Sequence, residues 1–299
     1  MSTLDRVSHT TAAMYGRAGT KAAALRQAAH DLLLGKRDEH GRVSTNGRFI
    51  FYELEHTGLV RKSKPGESRR LHGLPGGMQD LGDAVFYLRD KGIVPWSWIE
   101  DETRNLYEWR HAPSVAEYVA ESVELARIDL WQGSAPLLLV ESRSLGGVLR
   151  DICSVRLVDI AATNGQAGGF LRTDIAPALA DTGRPVLYLG DLDHQGDQIE
   201  ENTRSVLERE VGRQLDWRRL ALTHEQVAEH ALEPIWKKDE RYKPAREHWA
   251  WEAEAPGQAW VEQLVRDELD ALMPEPLDDV LERERRQRAE ARARLGVQA

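Results

Sequence analysis

A chain of 299 residues with 41% hydrophobic content can bury one large core or two medium ones. Its formal net charge of −9 argues against a surface that wraps nucleic acid everywhere, while leaving room for local basic patches beside an acidic site. The single cysteine, Cys153, excludes an intramolecular disulfide and a cysteine-based zinc site, and the sequence lacks any apolar run of about eighteen residues or an apolar segment behind Met1 to Arg6. The expectation is a cytoplasmic protein with neither membrane span nor signal peptide.

Residues 1–20 are polar and aperiodic and read as a flexible arm. From Lys21, the residues Leu25, Ala28, Ala29, Leu32 and Leu33 share one helical face, with Gly35 as a stop. A second helix is expected to start at a Ser44 or Thr45 cap and to run from Gly47 through Glu55 toward Gly58. Ile50 and Leu54 centre its buried face, Phe49 and Phe51 flank it, and Tyr52 falls on the open side. Between Val60 and Arg70 lie five cations, Arg61, Lys62, Lys64, Arg69 and Arg70, around a Pro65-Gly66 turn; they read as a basic wing for DNA or as a solvated loop. A third helix carries Met78, Leu81, Val85 and Leu88 on one stripe, and Ile93 to Trp96 reads as a short strand. Helix, helix, basic loop, helix and strand is a winged-helix-like order, placed at 21–112.

Ser114 caps an amphipathic helix with Val115, Tyr118, Val119, Val123 and Ala126 turned inward. Three short apolar runs follow, Leu137 to Val140, Leu157 to Ala162 and Val186 to Leu189, separated by helical patterns from Ser142 and from Gly168. Strand, helix, strand, helix, strand is a parallel α/β unit, so the three strand ends lie side by side. Further on, Trp217 to Thr223 reads as a strand, Thr223 as the cap of a helix from Glu225, Lys237 to Lys243 as a charged loop, and Trp260 to Leu272 as a helix. After Pro274-Glu275-Pro276 comes a charged helical tail; residues 282–294 hold six arginines and three glutamates. The α/β domain with its extension is placed at 113–274 and the tail at 275–299.

The chemistry gathers at the strand ends. Glu141 ends the first run, and Asp191 and Asp193, two apart and so on one side of extended backbone, end the third. Oxygen-only donors at the carboxyl edge of a parallel sheet suit a hard cation, Mg²⁺ or Mn²⁺, that retains water and accepts a phosphate oxygen. Asp197, four residues beyond Asp193, reads either as a ligand for a second ion or as a carboxylate opening the next helix.

Leu139-Val140-Glu141, Thr163-Asn164-Gly165 and Gly190-Asp191-Leu192-Asp193-His194-Gln195-Gly196, in that order with helices between, resemble a Toprim domain, the catalytic fold of topoisomerases, primases and some nucleases. Arg48-Phe49-Ile50-Phe51-Tyr52, together with its separation from Glu141, resembles the tyrosine motif of the A subunit of type IIB topoisomerase (topoisomerase VI) and of the related meiotic double-strand-break transesterase. That resemblance implies Mg²⁺-dependent cleavage of double-stranded DNA by Tyr52, with Arg48 placing the phosphate. It also implies a homodimer in which one chain's tyrosine works with the other's metal site. The chain carries no ATPase domain, so duplex passage would need a separate ATPase subunit. Two alternatives stay open: a Toprim nuclease of the plasmid-defence type, in which water attacks and Tyr52 only packs, and a non-catalytic DNA-binding module.

Overall fold

The computed structural model describes residues 14–38, 41, 43, 45–64, 67, 70, 76–99, 110–164, 168–239 and 246–296. The fold is mixed α/β. Its N-terminal part holds α1 (Lys21–Gly35), α2 (Gly47–Glu55) and α3 (Met78–Asp90); Ile93 to Trp96, expected as a strand, is irregular up to Pro95 and then enters a 3₁₀ turn, Trp96–Trp98. Then come α4 (Val115–Leu125), β1 (Leu137–Val140), α5 (Arg143–Arg156), β2 (Asp159–Ala162), α6 (Gly168–Phe170), a π turn (Leu171–Ile175), α7 (Ala176–Ala180) and β3 (Val186–Leu189). The chain continues with α8 (His194–Val211), β4 (Trp217–Ala221), α9 (His224–Glu229), β5 (Ile235–Asp239), β6 (Arg246–Ala250), α10 (Gln258–Leu272) and α11 (Leu277–Leu295).

β2, β1, β3 and β4 form one parallel sheet in that order. β1 and β3 are apolar throughout because both their faces are covered. Leu138, Val140, Leu187 and Leu189 meet α5 and α10 on one side. Leu137, Leu139, Val186 and Tyr188 meet the π turn, α7 and α8 on the other. Equal register along β1 and its two neighbours brings the ends of all three strands to one edge.

A second core is formed by α1, α2 and α3. Between the two cores sits α2, and three expectations about it change. Its cap is Asn46, whose Oδ1 accepts from the Arg48 and Phe49 amides at 3.0 and 3.1 Å; Thr45 instead donates its hydroxyl to Gln258 Oε1 at 2.6 Å, and Ser44 lies outside the described residues. Phe49 packs into the α/β core, whereas Ile50, Phe51, Tyr52 and Leu54 belong to the N-terminal core. Tyr52 is therefore buried, at 4% exposure, because α2 packs against a core on either side and only Gly47, Arg48, Glu53 and Glu55 keep contact with solvent.

Elsewhere, Tyr15 in the expected arm is buried and its hydroxyl lies 2.7 Å from His30 Nδ1, while residues 1–13 fall outside the described set. Met78 is exposed, so the α3 stripe begins at Leu81. The inward face expected on α4 is uncovered: Val115 is 82% exposed, and Tyr118, Val119 and Ala126 are exposed too. That helix meets α11 through Arg292 with Glu124, and through Arg288 Nε donating to the Ala126 carbonyl at 2.7 Å. No helix among the described residues is long and apolar enough to cross a membrane.

Candidate functional site

The sheet edge fixes its acids through backbone. The Glu141 amide donates to Leu189 O and the Asn164 amide to Glu141 O, both at 2.9 Å, which locks the residue just past β1. One Glu141 oxygen, Oε2, accepts the Asp191 amide at 3.0 Å, tying the two strand ends together. Asp191 Oδ1 accepts the Ala253 amide at 3.0 Å. Asp193 caps α8, its Oδ1 accepting the Gly196 amide at 2.7 Å. The cap is thus Asp193; Asp197 lies in the first turn, with Arg219 Nη1 at 3.7 Å.

Two glycines make this corner possible. A Cβ on Gly196 would stand 2.4 Å from the Asp191 carbonyl oxygen, and one on Gly190 would stand 2.7 Å from Tyr188 Cε1 and 2.9 Å from Glu141 Oε2. Asp-x-Asp-x-x-Gly is therefore a steric requirement: the chain turns so tightly that only hydrogen fits where Gly196 presents its amide to Asp193. Gly165, of the second turn, lies outside the described residues.

The cations arrive from elsewhere. The segment expected to be a charged loop instead contributes β5, which pairs antiparallel with β6. Lys237 on β5 places Nζ 2.8 Å from Asp191 Oδ2 and 2.9 Å from Asp193 Oδ2, and 3.9 Å from Glu252 Oε1. Opposite it in register, His248 brings Nε2 to 4.0 Å from Asp193 Oδ2. Arg48, from α2, bridges Glu252 Oε2 at 2.8 Å and Glu254 Oε1 at 3.3 Å. Glu254 Oε1 also accepts the Ser142 and Ser144 hydroxyls at 2.9 and 2.8 Å. Arg48, Glu141, Ser142, Asn164, Asp191, Gln195 and Ile199 line a cavity of about 340 Å³ at this edge.

Of the basic segment, Lys62 turns inward to pair with Glu252, and its Nζ lies 4.9 Å from the centre of the Tyr52 ring. It does not stay on the outer surface as a wing residue would. Arg61 pairs with Glu67 at 2.9 Å and Arg70 with Asp83 at 2.6 Å; the Lys64 amide donates to Glu67 Oε2, and Arg69 lies outside the described residues. The Tyr52 hydroxyl has no hydrogen-bond partner among the described residues. Glu252, Glu254 and Lys237 were not recognised as site residues from the sequence. Glu-x-Glu repeats the spacing of Asp-x-Asp, and Trp236, Trp249 and Trp251 carried the strand signal around Lys237.

Five carboxylates, Glu141, Asp191, Asp193, Glu252 and Glu254, face three cations, Arg48, Lys62 and Lys237. The imbalance shifts the titrations. Burial and then the Asp191 charge push Glu141 up to about 7. Burial also pushes Glu252 up to about 7, Arg48 opposing and Glu254 reinforcing the shift. Lys62 is pushed down to about 7 by burial and by the Arg48 and Lys237 charges. Lys237 stays above its ordinary value: burial opposes its charge, and Asp191 and Asp193 outweigh that. Asp193 lies below the usual range, the Lys237 ammonium and the Gly196 amide overcoming its burial.

Among the described residues no three His, Cys, Asp or Glu side chains converge as a ready metal-ligand set. The fit to a hard cation rests on a narrower observation. Asp191 Oδ2 and Asp193 Oδ2 converge on a single positive point, and two further donors of the site, His248 Nε2 beside Asp193 and Glu254 Oε2 beside Arg48, are buried without a hydrogen-bond partner among the described residues. Two carboxylates and otherwise water is how Mg²⁺ is commonly held where it also takes a phosphate. Comparisons of the chain with protein-family models, with curated proteins and with solved structures return no match.

Proposed function

We propose that this protein cleaves phosphodiester bonds in DNA at the carboxyl edge of its parallel sheet, with a Toprim-like arrangement and a divalent cation on Asp191 and Asp193. The observation that carries the reading is the convergence of the two Oδ2 atoms, each carboxylate being anchored by a backbone amide through its other oxygen. A bound divalent cation would neutralise the phosphate and stabilise charge on the departing oxygen. Glu141, with its pKa near 7, is suited to take a proton from the attacking oxygen. Arg48 lines the same cavity and keeps its charge at all working pH values, since Glu254 and Glu252 outweigh the cost of its burial; it is placed to bind a phosphate oxygen.

Burial of Tyr52 favours water over the tyrosine as nucleophile, which is the nuclease reading. Transesterification by Tyr52 is the second reading. It is favoured by the position of Arg48 one turn before Tyr52 on α2, and by Lys62, whose pKa, pushed down to about 7, lets it share its proton near neutral pH beside the ring. In that reading Tyr52 works in a homodimer on the partner's site, and an ATPase subunit supplies duplex passage. The winged-helix reading of α1 to α3 belongs to both, with DNA meeting Arg61, Lys64, Arg69 and Arg70.

The test is incubation of supercoiled DNA with the protein and Mg²⁺ or Mn²⁺. Nicked or linear product that survives Tyr52→Phe and is lost in Asp191→Asn establishes hydrolysis. Covalent protein–DNA adducts that vanish in Tyr52→Phe establish the transesterase. DNA retention without cleavage in either metal leaves the binding module.

A further inference from the structure

We propose that Lys237 is a tethered cation that competes with divalent metal for the Asp191–Asp193 pair, so that metal loads only when the β5–β6 ribbon withdraws. The inference rests on the metal reading of that pair and goes beyond it.

It follows first from an inventory of oxygens. Asp193 Oδ1 is held by the Gly196 amide within the turn itself, and Asp191 Oδ1 by the Ala253 amide, two residues past Trp251, whose bridge to Leu192 fastens that segment to the edge. That leaves the two Oδ2 atoms as the exchangeable ligands, and Lys237 Nζ holds both, at 2.8 and 2.9 Å. A magnesium ion would approach the same oxygens to about 2.1 Å from the same side. Ammonium and metal would then stand within a few ångströms of each other, two like charges on one pair of acceptors. Lys237 is therefore the group that yields.

The architecture supplies a way to yield. β5 and β6 form their own two-stranded sheet, outside the order of the parallel sheet. The ribbon is tied to the site edge by the bridge between Leu192 and Trp251, while Trp251 Nε1 donates to the Leu232 carbonyl at 3.0 Å. Two-stranded ribbons are marginal in isolation. Here the cross-strand pair Trp236 and Trp249, ring centres 4.0 Å apart, staples the strands together on the exposed side. One residue further along, the Lys237–His248 pair faces the carboxylates. The staple makes the ribbon one body, so withdrawing Lys237 is a displacement about the Trp251 attachment and leaves β5 paired with β6.

The experiment is Mn²⁺ binding, read by electron paramagnetic resonance of the free ion, on the full chain as wild type, Lys237→Met, Lys237→Arg and Asp191→Asn. Lys237→Met retains the stem without the charge and is expected to bind Mn²⁺ at least tenfold more tightly than wild type. Lys237→Arg is expected not to gain, and Asp191→Asn to lose the ion. Hydrogen exchange adds a readout that a merely structural lysine would not move: Mn²⁺ is expected to speed exchange in β5 (Ile235–Asp239) and β6 (Arg246–Ala250) in wild type and to leave it unchanged in Lys237→Met. Should Lys237→Met fail to fold, Trp236→Ala loosens the ribbon without touching the acids and is likewise expected to tighten binding. Equal or weaker binding by folded Lys237→Met and Trp236→Ala, with Asp191→Asn still abolishing it, overturns the competition and leaves the metal site standing. Absence of Mn²⁺ binding in every variant overturns both.

Discussion

The acids and the cations of the site are held in different ways. Asp191 and Asp193 each have an oxygen on a main-chain amide, and Glu141 is tied to the Asp191 amide at the ends of β1 and β3, the two strands buried on both faces. Arg48, Lys62 and Lys237 reach in from α2, from the segment after it and from the two-stranded ribbon, and are held there by ion pairs. One half is set by the backbone, the other by charge. The acids therefore keep their geometry whatever the cations do, and the cations can exchange partners. A site meant to receive a phosphate and a metal benefits from that division, since the incoming groups replace mobile charges and leave the anchored ligands in place.

Substitutions can break the division or sharpen it. The largest effect is expected from Gly196→Ala, whose Cβ would collide with the Asp191 carbonyl: a loss of about 3 kcal/mol or more in urea unfolding, together with any metal-dependent cleavage. Arg48→Ala comes next. It leaves Glu252 and Glu254 without their bridging cation and should cost about 2 kcal/mol at pH 8, discounted for the partial exposure of Arg48. Melting curves should show the cost shrinking below pH 6, where Glu252, already pushed up to about 7, carries a proton.

Glu141→Gln should act in the opposite direction. The Glu141 pKa is higher folded than unfolded, so its contribution to stability is full below the ordinary carboxylate range and is lost as pH rises through about 7. The amide mimics the protonated acid, so the variant should melt above wild type at pH 8.5, by about 1 kcal/mol after allowance for solvent, and match it at pH 4. The smallest effect belongs to Arg70→Ala, whose pairing with Asp83 is exposed: a change within about 0.5 kcal/mol in the same melts.

The same division explains what could be read from the sequence. Short apolar runs ending in acids predict buried parallel strands with carboxylates at one edge, because strand burial and strand ends are local properties of the chain. The cations depend on which distant segments return to that edge. Lys237 sits in a segment whose charge content resembles a solvated loop, and its strand is specified by pairing with β6 across residues 240–245. Tyr52 is buried where periodicity puts it on the open side, for a related reason: helical periodicity presumes one buried face, and α2 has a core on either side. The α4 stripe shows the converse, an amphipathic pattern that tertiary packing leaves uncovered.

The placement of α2 also bears on how the molecule comes apart. Phe49 is wedged into the sheet's core while its neighbours Ile50 and Phe51 fill the helical one, and Asn46 Nδ2 fastens the start of the helix to the Ser144 carbonyl at 2.8 Å. Neither half can melt without stripping a face from this single helix, so heat or urea should unfold both in one transition, with near- and far-ultraviolet signals lost together. Nine residues thereby act as the keystone of the protein: prying out Phe49 by truncation to alanine should lower one shared midpoint, by about 3 kcal/mol, where a chain of two independent domains would show two.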